Sequence, residues 1–324
     1  MNEQPIVVLG AGQIGSLVTQ KLLAAGHRVR QVRRSGAPRS DGLLEVVSGD
    51  LSDLAFAERI GRDARAVIHC ATPPYHQWMS LLEPLNAGAL HAAQNAPLVV
   101  LDNLYGYGRP TGPLTETSPV NPCSRKGELR ARVAQRLLDA KAHVTIARAS
   151  DFYGPNITLA ATFGERFGQR IVKGKAGECF GDPTLLHSYS FAGDVADGLI
   201  TLALAPQKQS GEIWHLPVAK AESTAAVVSR FGRALGFPDV KTVTVPAPVL
   251  HVMGLFVPAV KELIEMRYQW QVPFVLDDSK FRAAFGTGAT SLDDGVMATV
   301  RALRPARPLT PALSPLRKER ESQG

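Results

Sequence analysis

The chain opens on a short run of consecutive apolar, mostly β-branched residues, Pro5 to Leu9. An unbroken apolar run of that length predicts a strand buried on both faces, as in a parallel sheet. From Ile14 to Ala25 the pattern changes period. Ile14, Leu17, Val18, Leu22 and Ala25 recur at helical spacing, and Gly26 stands at the favoured left-handed C-cap position. Further short strands are predicted at His27–Val32, Glu45–Val47, Ala66–His69, Pro97–Leu101 and Val144–Arg148, with helical patterns between most of them. Strands alternating with helices imply crossover connections and a parallel sheet covered on both faces. The pattern therefore predicts a doubly wound α/β domain over residues 1–150. From 151 to 303 the segments become irregular, which predicts a smaller mixed portion for substrate, with some returns to the first domain. Residues 304–324, with four prolines and no sustained periodicity, read as a disordered tail.

Gly10-x-Gly12-x-x-Gly15 lies between the first strand and the first helix. That context gives the glycines a job: Gly10 a tight turn, Gly12 backbone approach to a pyrophosphate, Gly15 close packing of helix on strand. The helix start, with Gln13 and Ile14, then presents free N–H groups to phosphate. Sites for NAD place an acidic residue after the second strand, to hold the ribose 2′-hydroxyl. Here the positions are Arg33 and Arg34, with Arg30 just before. Guanidiniums suit a 2′-phosphate, so NADP(H) is expected over NAD(H). Asp50 and Leu51 are placed to meet the adenine, and Ser52 or Asp53 to cap the next helix. Ala71 and Thr72, after the fourth strand, and Lys126 complete the cofactor set.

These pieces together resemble the extended short-chain dehydrogenase/reductase family, the NAD-dependent epimerase/dehydratase group. The matching segments are Gly10–Gly15, Gly49-Asp-Leu51, Val67–Ala71, Val99–Gly108, Arg148–Pro155, Ser190–Ala196 and Asp278–Gly286. The resemblance implies a Rossmann-type domain, a small substrate domain and often a dimer. It also implies a Ser/Thr and a Tyr-x-x-x-Lys pair that moves a proton while the nicotinamide moves a hydride. The chain departs at that pair. Asn103 stands at the Ser/Thr position, Cys123 at the Tyr position and Gly127 at the Lys position, with Lys126 one residue off. Asn103, Tyr105 and Tyr107 alternate after the fifth strand, and a continuing strand would point them the same way. Tyr105, Tyr107, Asn103 and Lys126 are therefore the substitute catalytic candidates. Tyr75, Trp78, Tyr153 and His187 are the substrate-side candidates, while Asp102 and Asp151 read as structural.

Composition narrows the alternatives. The 324 residues are 45% hydrophobic and 20% charged, a globular balance. Three scattered cysteines, Cys70, Cys123 and Cys179, supply neither a disulfide framework nor a thiolate metal site, which fits a reducing cytoplasm. No metal-ligand spacing is present. The apolar stretch Thr242–Val260 is broken by Pro246, Pro248, Gly254 and Pro258, so no membrane span is expected. The net charge of +7 hints at a polyanion. Three of those charges belong to residues 304–324 and three to the Arg30/Arg33/Arg34 group, so no nucleic-acid partner is expected. The expected function is an NAD(P)(H)-dependent oxidoreductase or epimerase/dehydratase acting on a small carbonyl, hydroxyl or sugar-like compound. The alternative is a non-catalytic NADP(H) sensor on the same fold.

Overall fold

The computed structural model describes residues 4–140, 143–159, 162–205, 211–256 and 258–303. The tail expected over 304–324 lies outside the described residues. The first half alternates as expected: β1 (Ile6–Leu9), α1 (Gln13–Ala24), β2 (Val29–Arg33), β3 (Arg39–Asp41), β4 (Leu44–Ser48), α2 (Leu54–Gly61), β5 (Ala66–His69), α3 (Trp78–Ala92), β6 (Leu98–Asp102), α4 (Arg125–Leu138) and β7 (Val144–Arg148). The later elements are β8 (Asp151–Tyr153), α5 (Glu165–Ile171), β9 (Gly177–Cys179), β10 (Leu186–His187), β11 (Tyr189–Phe191), α6 (Ala192–Leu204) and β12 (Glu212–His215). The chain continues through β13 (Glu222–Ser223), α7 (Thr224–Leu235), β14 (Thr242–Thr244), α8 (Ala247–Phe256), α9 (Pro258–Met266), α10 (Ser279–Phe285) and α11 (Leu292–Leu303).

The main sheet runs β12-β7-β6-β5-β1-β2-β4-β3. Every neighbouring pair is parallel except the β3–β4 hairpin. Side-chain alternation divides the strands between two layers. Val7, Leu9, Val67, Leu98, Val100, Val144 and Ile146 pack with the apolar faces of α2, α3 and α4. Ile6, Val8, Ala66, Ile68, Val99 and Ala147 pack with α1 and α6. Both layers are dry, which is why the strands read as unbroken apolar runs. A third, aromatic core of Tyr153, Phe163, Phe167, Phe231 and Val296 joins β8, α5, α7 and α11.

Two strands of the main sheet are absent from the hydrophobic pattern. β3 is fully exposed Arg-Ser-Asp and is set by its hairpin with β4. β12, Glu-Ile-Trp-His, pairs with β7 and returns a late segment to the edge of the sheet.

The carboxyl end of β6 carries a buried charge group. Asp102 accepts from Arg148 Nε at 3.1 Å and from Arg130 Nη1 at 3.4 Å. All three residues are at most 7% exposed. Arg130 also lies over the Trp78 ring at 4.2 Å, and Arg148 over Tyr107 at 4.5 Å. Asp102 thus joins β6, α4 and β7. Removing one partner of a buried ionic group leaves uncompensated charge, at a cost of about 3–5 kcal/mol. Urea denaturation of Asp102→Ala is expected to show a loss of that size; a loss below about 1 kcal/mol would mean that water readily replaces the carboxylate.

Candidate functional site

The glycine loop is built as its spacing requires. Gly10 has φ +106°, and a Cβ there would lie 2.8 Å from the Ala71 backbone. A Cβ at Gly15 would come 2.1 Å from the Gly10 carbonyl oxygen, whereas one at Gly12 would meet nothing within 4 Å. The loop therefore closes against β5 and α1 but stays open over Gly12, where a diphosphate needs room. Gly12 is the N-cap of α1 and no side chain caps it, which leaves helix N–H groups for an anion. These features fit a dinucleotide. Gln13 holds the loop from outside: its Oε1 accepts from Thr158 Oγ1 at 3.1 Å and from Leu159 N at 2.9 Å. The Ile14 side chain is core, so only its backbone can serve a ligand. Ala71 is half-buried against Gly10, with Thr72 exposed beside it.

At the end of β2 the three arginines part. Arg30 pairs with Glu45 and Asp63 and donates to the Ile60 carbonyl. This corrects the expectation of a three-arginine group. Arg30 and Val32 share one face of β2 while Gln31 and Arg33 take the other, so Arg30 leaves the sheet on the opposite side from Arg33. The Arg33 guanidinium folds back on Gly36 and donates to the Ala37 carbonyl. Arg34 is exposed and within electrostatic reach of Asp50. Asp50 accepts from Ser52 N and Oγ at 2.9 and 2.7 Å, and these bonds hold its carboxyl below the usual range. Asp53 caps α2 through Ala55 N and Phe56 N. Leu51 is 6% exposed and its side chain is part of the core.

The proposed alternation of Asn103, Tyr105 and Tyr107 does not occur. β6 ends at Asp102 and Tyr105–Tyr107 form a 3-10 turn. Asn103 Oδ1 accepts from Tyr105 N at 3.0 Å and so starts that turn. Two residues along a 3-10 turn rotate the side chain by about 240°, so the two phenols point in different directions. The Tyr107 hydroxyl reaches His215 Nε2 at 2.7 Å while His215 Nδ1 meets the Asp277 carbonyl at 2.9 Å. A carbonyl only accepts, so Nδ1 carries the proton and Nε2 accepts from Tyr107. Tyr107 is thus a buried structural hydroxyl, which corrects its catalytic assignment.

Tyr105 points the other way. Its hydroxyl is 2.6 Å from that of Tyr75. Tyr75 is 41% exposed as a residue, but its hydroxyl turns inward. Burial raises both phenols above their ordinary range, so both stay protonated. The backbone of this turn lies against α4: a Cβ on Gly127 would be 2.6 Å from the Tyr105 carbonyl oxygen. The glycine at the expected Lys position is what admits the tyrosine turn. Ser124 caps α4 by accepting from Gly127 N at 3.0 Å.

Lys126 is 4% exposed, with its ammonium 5.7 Å from the Tyr75 ring centre. Glu262 and Glu265 of α9 both pair with that ammonium, and Glu265 also accepts from Lys126 N at 2.9 Å. Burial opposes the Glu265 charge, but the Lys126 contacts outweigh it and lower its pKa. The lysine thus faces Tyr75 rather than Tyr105.

Two substrate candidates prove to be core. Trp78 is 3% exposed and donates to the Pro73 carbonyl, and Tyr153 is fully buried against Gly295. Their aromatic surface is used in packing, which loop position alone does not reveal. His187 is also buried, but its Nε2 lies 2.9 Å from Asp151 Oδ2. Asp151 in turn is within electrostatic reach of Tyr75, Tyr105 and Tyr268. Asp151, expected to be structural, and Glu262 and Glu265, which no spacing in the chain flags, stand among these candidate residues. Among the described residues no group of three or more His, Cys, Asp or Glu could hold a metal, and no helix is long and apolar enough to cross a membrane.

The glycine loop on β1, the strand-order reversal between β1 and β5, and the polar cleft at the carboxyl ends of β5 and β6 define a dinucleotide-binding Rossmann-type protein. Residues 6–216 match the NAD dependent epimerase/dehydratase family, and the chain belongs to it. It is thereby an enzyme of epimerase/dehydratase type whose cofactor class is a nicotinamide dinucleotide. It is 24% identical over 265 residues to a UDP-glucose 4-epimerase of Mycolicibacterium smegmatis, covering 72% of this chain and 83% of that one. Two solved structures share the fold. One is a dTDP-glucose 4,6-dehydratase double mutant from Streptomyces venezuelae with NAD bound (TM-score 0.72, 21% identity, 93% of this chain and 97% of that one). The other is the Bordetella bronchiseptica enzyme WbmG with NAD and UDP (TM-score 0.70, 20% identity, 93% and 95%).

Burial of two imidazoles gives the fold a pH dependence. Burial lowers His215 from an ordinary 6.5 to about 4, and His69 to about 3. The unfolded chain binds these protons at a higher pH than the native one, so stability is complete above 6.5 and falls as pH drops toward 4. Urea midpoints between pH 7 and 4.5 are expected to decline, and His215→Gln to flatten the decline. An unchanged slope in that variant would remove His215 from the account.

Proposed function

We propose that this enzyme moves a hydride between a bound nicotinamide dinucleotide and a small hydroxyl or carbonyl compound, with Tyr105 as its proton donor and acceptor. The observation that carries this reading is the Tyr75–Tyr105 hydroxyl pair, on a turn whose backbone packs against Gly127 of α4, the position that the resemblance gives to a lysine. The cofactor supplies the hydride acceptor or donor when bound. The chain's own residues do the rest. A protonated phenol can give a proton to a carbonyl oxygen as charge develops there, and Tyr75 can resupply it through the shared hydrogen bond. Lys126 and its two carboxylates hold Tyr75 in place from beneath. Dimerisation rests on the resemblance only, and a cytoplasmic location on the scattered cysteines only.

For the cofactor we propose preference for the 2′-phosphorylated form, resting on Arg33 and Arg34 and on the missing acidic residue after β2. The solved neighbours hold NAD, and Arg30 is committed elsewhere. The case therefore narrows to two guanidiniums.

Titration with NADP(H) and NAD(H) tests the second point. Arg33→Ala with Arg34→Ala is expected to weaken NADP(H) by about tenfold or more, since a charge-assisted hydrogen bond contributes about 1.5–3 kcal/mol. NAD(H) affinity should not move. Tighter NAD(H) binding by the native chain, unaffected by these substitutions, would reverse the preference.

Turnover over a panel of aldehydes, ketones, aldoses and nucleotide sugars tests the first. Tyr105→Phe is expected to lower kcat by about 10²-fold or more while cofactor affinity stays unchanged. Full activity in Tyr105→Phe would dismiss the phenol. Firm cofactor binding with no turnover on any substrate would favour a sensor, a reading supported by the Glu262 and Glu265 carboxylates that already neutralise Lys126.

A further inference from the structure

The glycine loop is tied to a segment from the later part of the chain. That segment, Gly154–Leu159, follows β8 and leads toward α5. It turns at Gly154, φ +143°, and at Asn156, φ +61°, a left-handed conformation that asparagine tolerates better than most side chains. Its base is fixed. Ile157 is 6% exposed in the core layer of α1 and α6, and its N–H donates to the Gly154 carbonyl at 3.2 Å. Its far end is fixed too, because Glu165 N, at the start of α5, donates to the Thr158 carbonyl at 2.9 Å.

Thr158 and Leu159 are exposed, and there the segment meets Gln13. Three donors, Thr158 N, Thr158 Oγ1 and Leu159 N, converge on the one Oε1 of Gln13. Gln13 is the first residue of α1, directly after Gly12. Its backbone belongs to the turn that faces a diphosphate, while its side chain belongs to the segment. The segment departs from the carboxyl end of β7 by way of β8, and Gln13 follows the carboxyl end of β1. In the sheet, β6 and β5 lie between those two strands. The segment therefore runs along the crevice where the strand order reverses, the place where open α/β sheets take their ligand.

We infer that Thr158–Leu159 is a strap beside the diphosphate end of the dinucleotide site, that Gln13 is the positioning residue that latches it, and that this latch governs how fast the dinucleotide leaves. The bonds suit a part that opens. They lie at the surface, where water readily replaces them, and segments held in that way are the ones that open locally. The anchors at Ile157 and Glu165 limit how far the freed strap can travel. The residue type suits the position as well. A carboxylate could accept the same three bonds, but it would set a negative charge on the turn that receives the phosphates, and the neutral amide does not. The latch acts on the family's nicotinamide dinucleotide and is independent of which residue donates the proton.

Stopped-flow displacement of NADPH, and of NADH in parallel, from the full chain measures association and dissociation separately. Gln13→Met keeps the length of the side chain and removes the acceptor. It is expected to raise the dissociation rate about tenfold with association not slowed and Tm within about 2 °C of the native value. Thr158→Val removes one of the three donors. It should give a smaller rise, and no further rise when added to Gln13→Met. An unchanged dissociation rate in Gln13→Met, affinity lost through slower association, or additive effects of the two substitutions would each overturn the latch. A lowered Tm with native release would mark Gln13 as a structural residue only and overturn it as well. Binding of neither dinucleotide by the native chain would overturn the dinucleotide site and the latch together.

Discussion

The arrangement of the cleft depends on a single carboxylate. Asp102 ends β6 and meets guanidiniums from α4 and β7, and all three groups are shut away from water. Charges in such a place are tolerated only when each is answered. The answer fixes three elements at once. Arg130 must come from α4 and lie flat on Trp78, while Arg148 must come from β7 and lie flat on Tyr107. Tyr107 then reaches His215 on β12, so the network crosses the sheet from α3 to its edge strand. The 3-10 turn bearing Tyr105 is the short bridge between the end of β6 and this network. Its freedom to move is small because both of its neighbours are anchored.

That rigidity decides what the tyrosines can do. Tyr107 faces the anchored side and donates to a neutral imidazole. Tyr105 faces the cleft and meets Tyr75. Desolvation keeps its proton on, which favours giving a proton over abstracting one. An arrangement of two phenols beside a neutralised lysine therefore differs from a phenol acidified by a free lysine. The α9 carboxylates make the difference, because they turn the Lys126 charge away from the hydroxyls.

The fold was plain in the sequence because parallel strands buried on both faces leave unbroken apolar runs. Ala66–His69 and Val144–Arg148 emerge at the limits the pattern predicts. The glycine loop was legible for a related reason: backbone clearance can be met only by glycine at Gly10 and Gly15. β3 and β12 were not legible, since one is wholly polar and the other is placed by pairing with β7. The site divides in the same way. Local chemistry, such as the Asp53 and Ser124 caps, can be read from spacing. The Tyr75–Tyr105 bond joins residues 30 apart and the Lys126–Glu265 pair residues 139 apart, and no periodicity encodes either. The expected strand continuation after Asp102 failed because Asn103 starts a turn with its own side chain, a common use of asparagine after a strand.

At Gly127, the position that the resemblance gives to the family's lysine, the backbone of the tyrosine turn takes the space of a side chain. On α4 the lysine position would carry its Cβ into the Tyr105 carbonyl oxygen. To accept a lysine there, the 3-10 turn would have to withdraw from the helix. It cannot do so alone, because Tyr107 at its end is held by His215 and Arg148. Restoring tyrosine at Cys123 and lysine at Gly127 would thus set the family's pair against the Asp102 network. The two solutions exclude each other sterically.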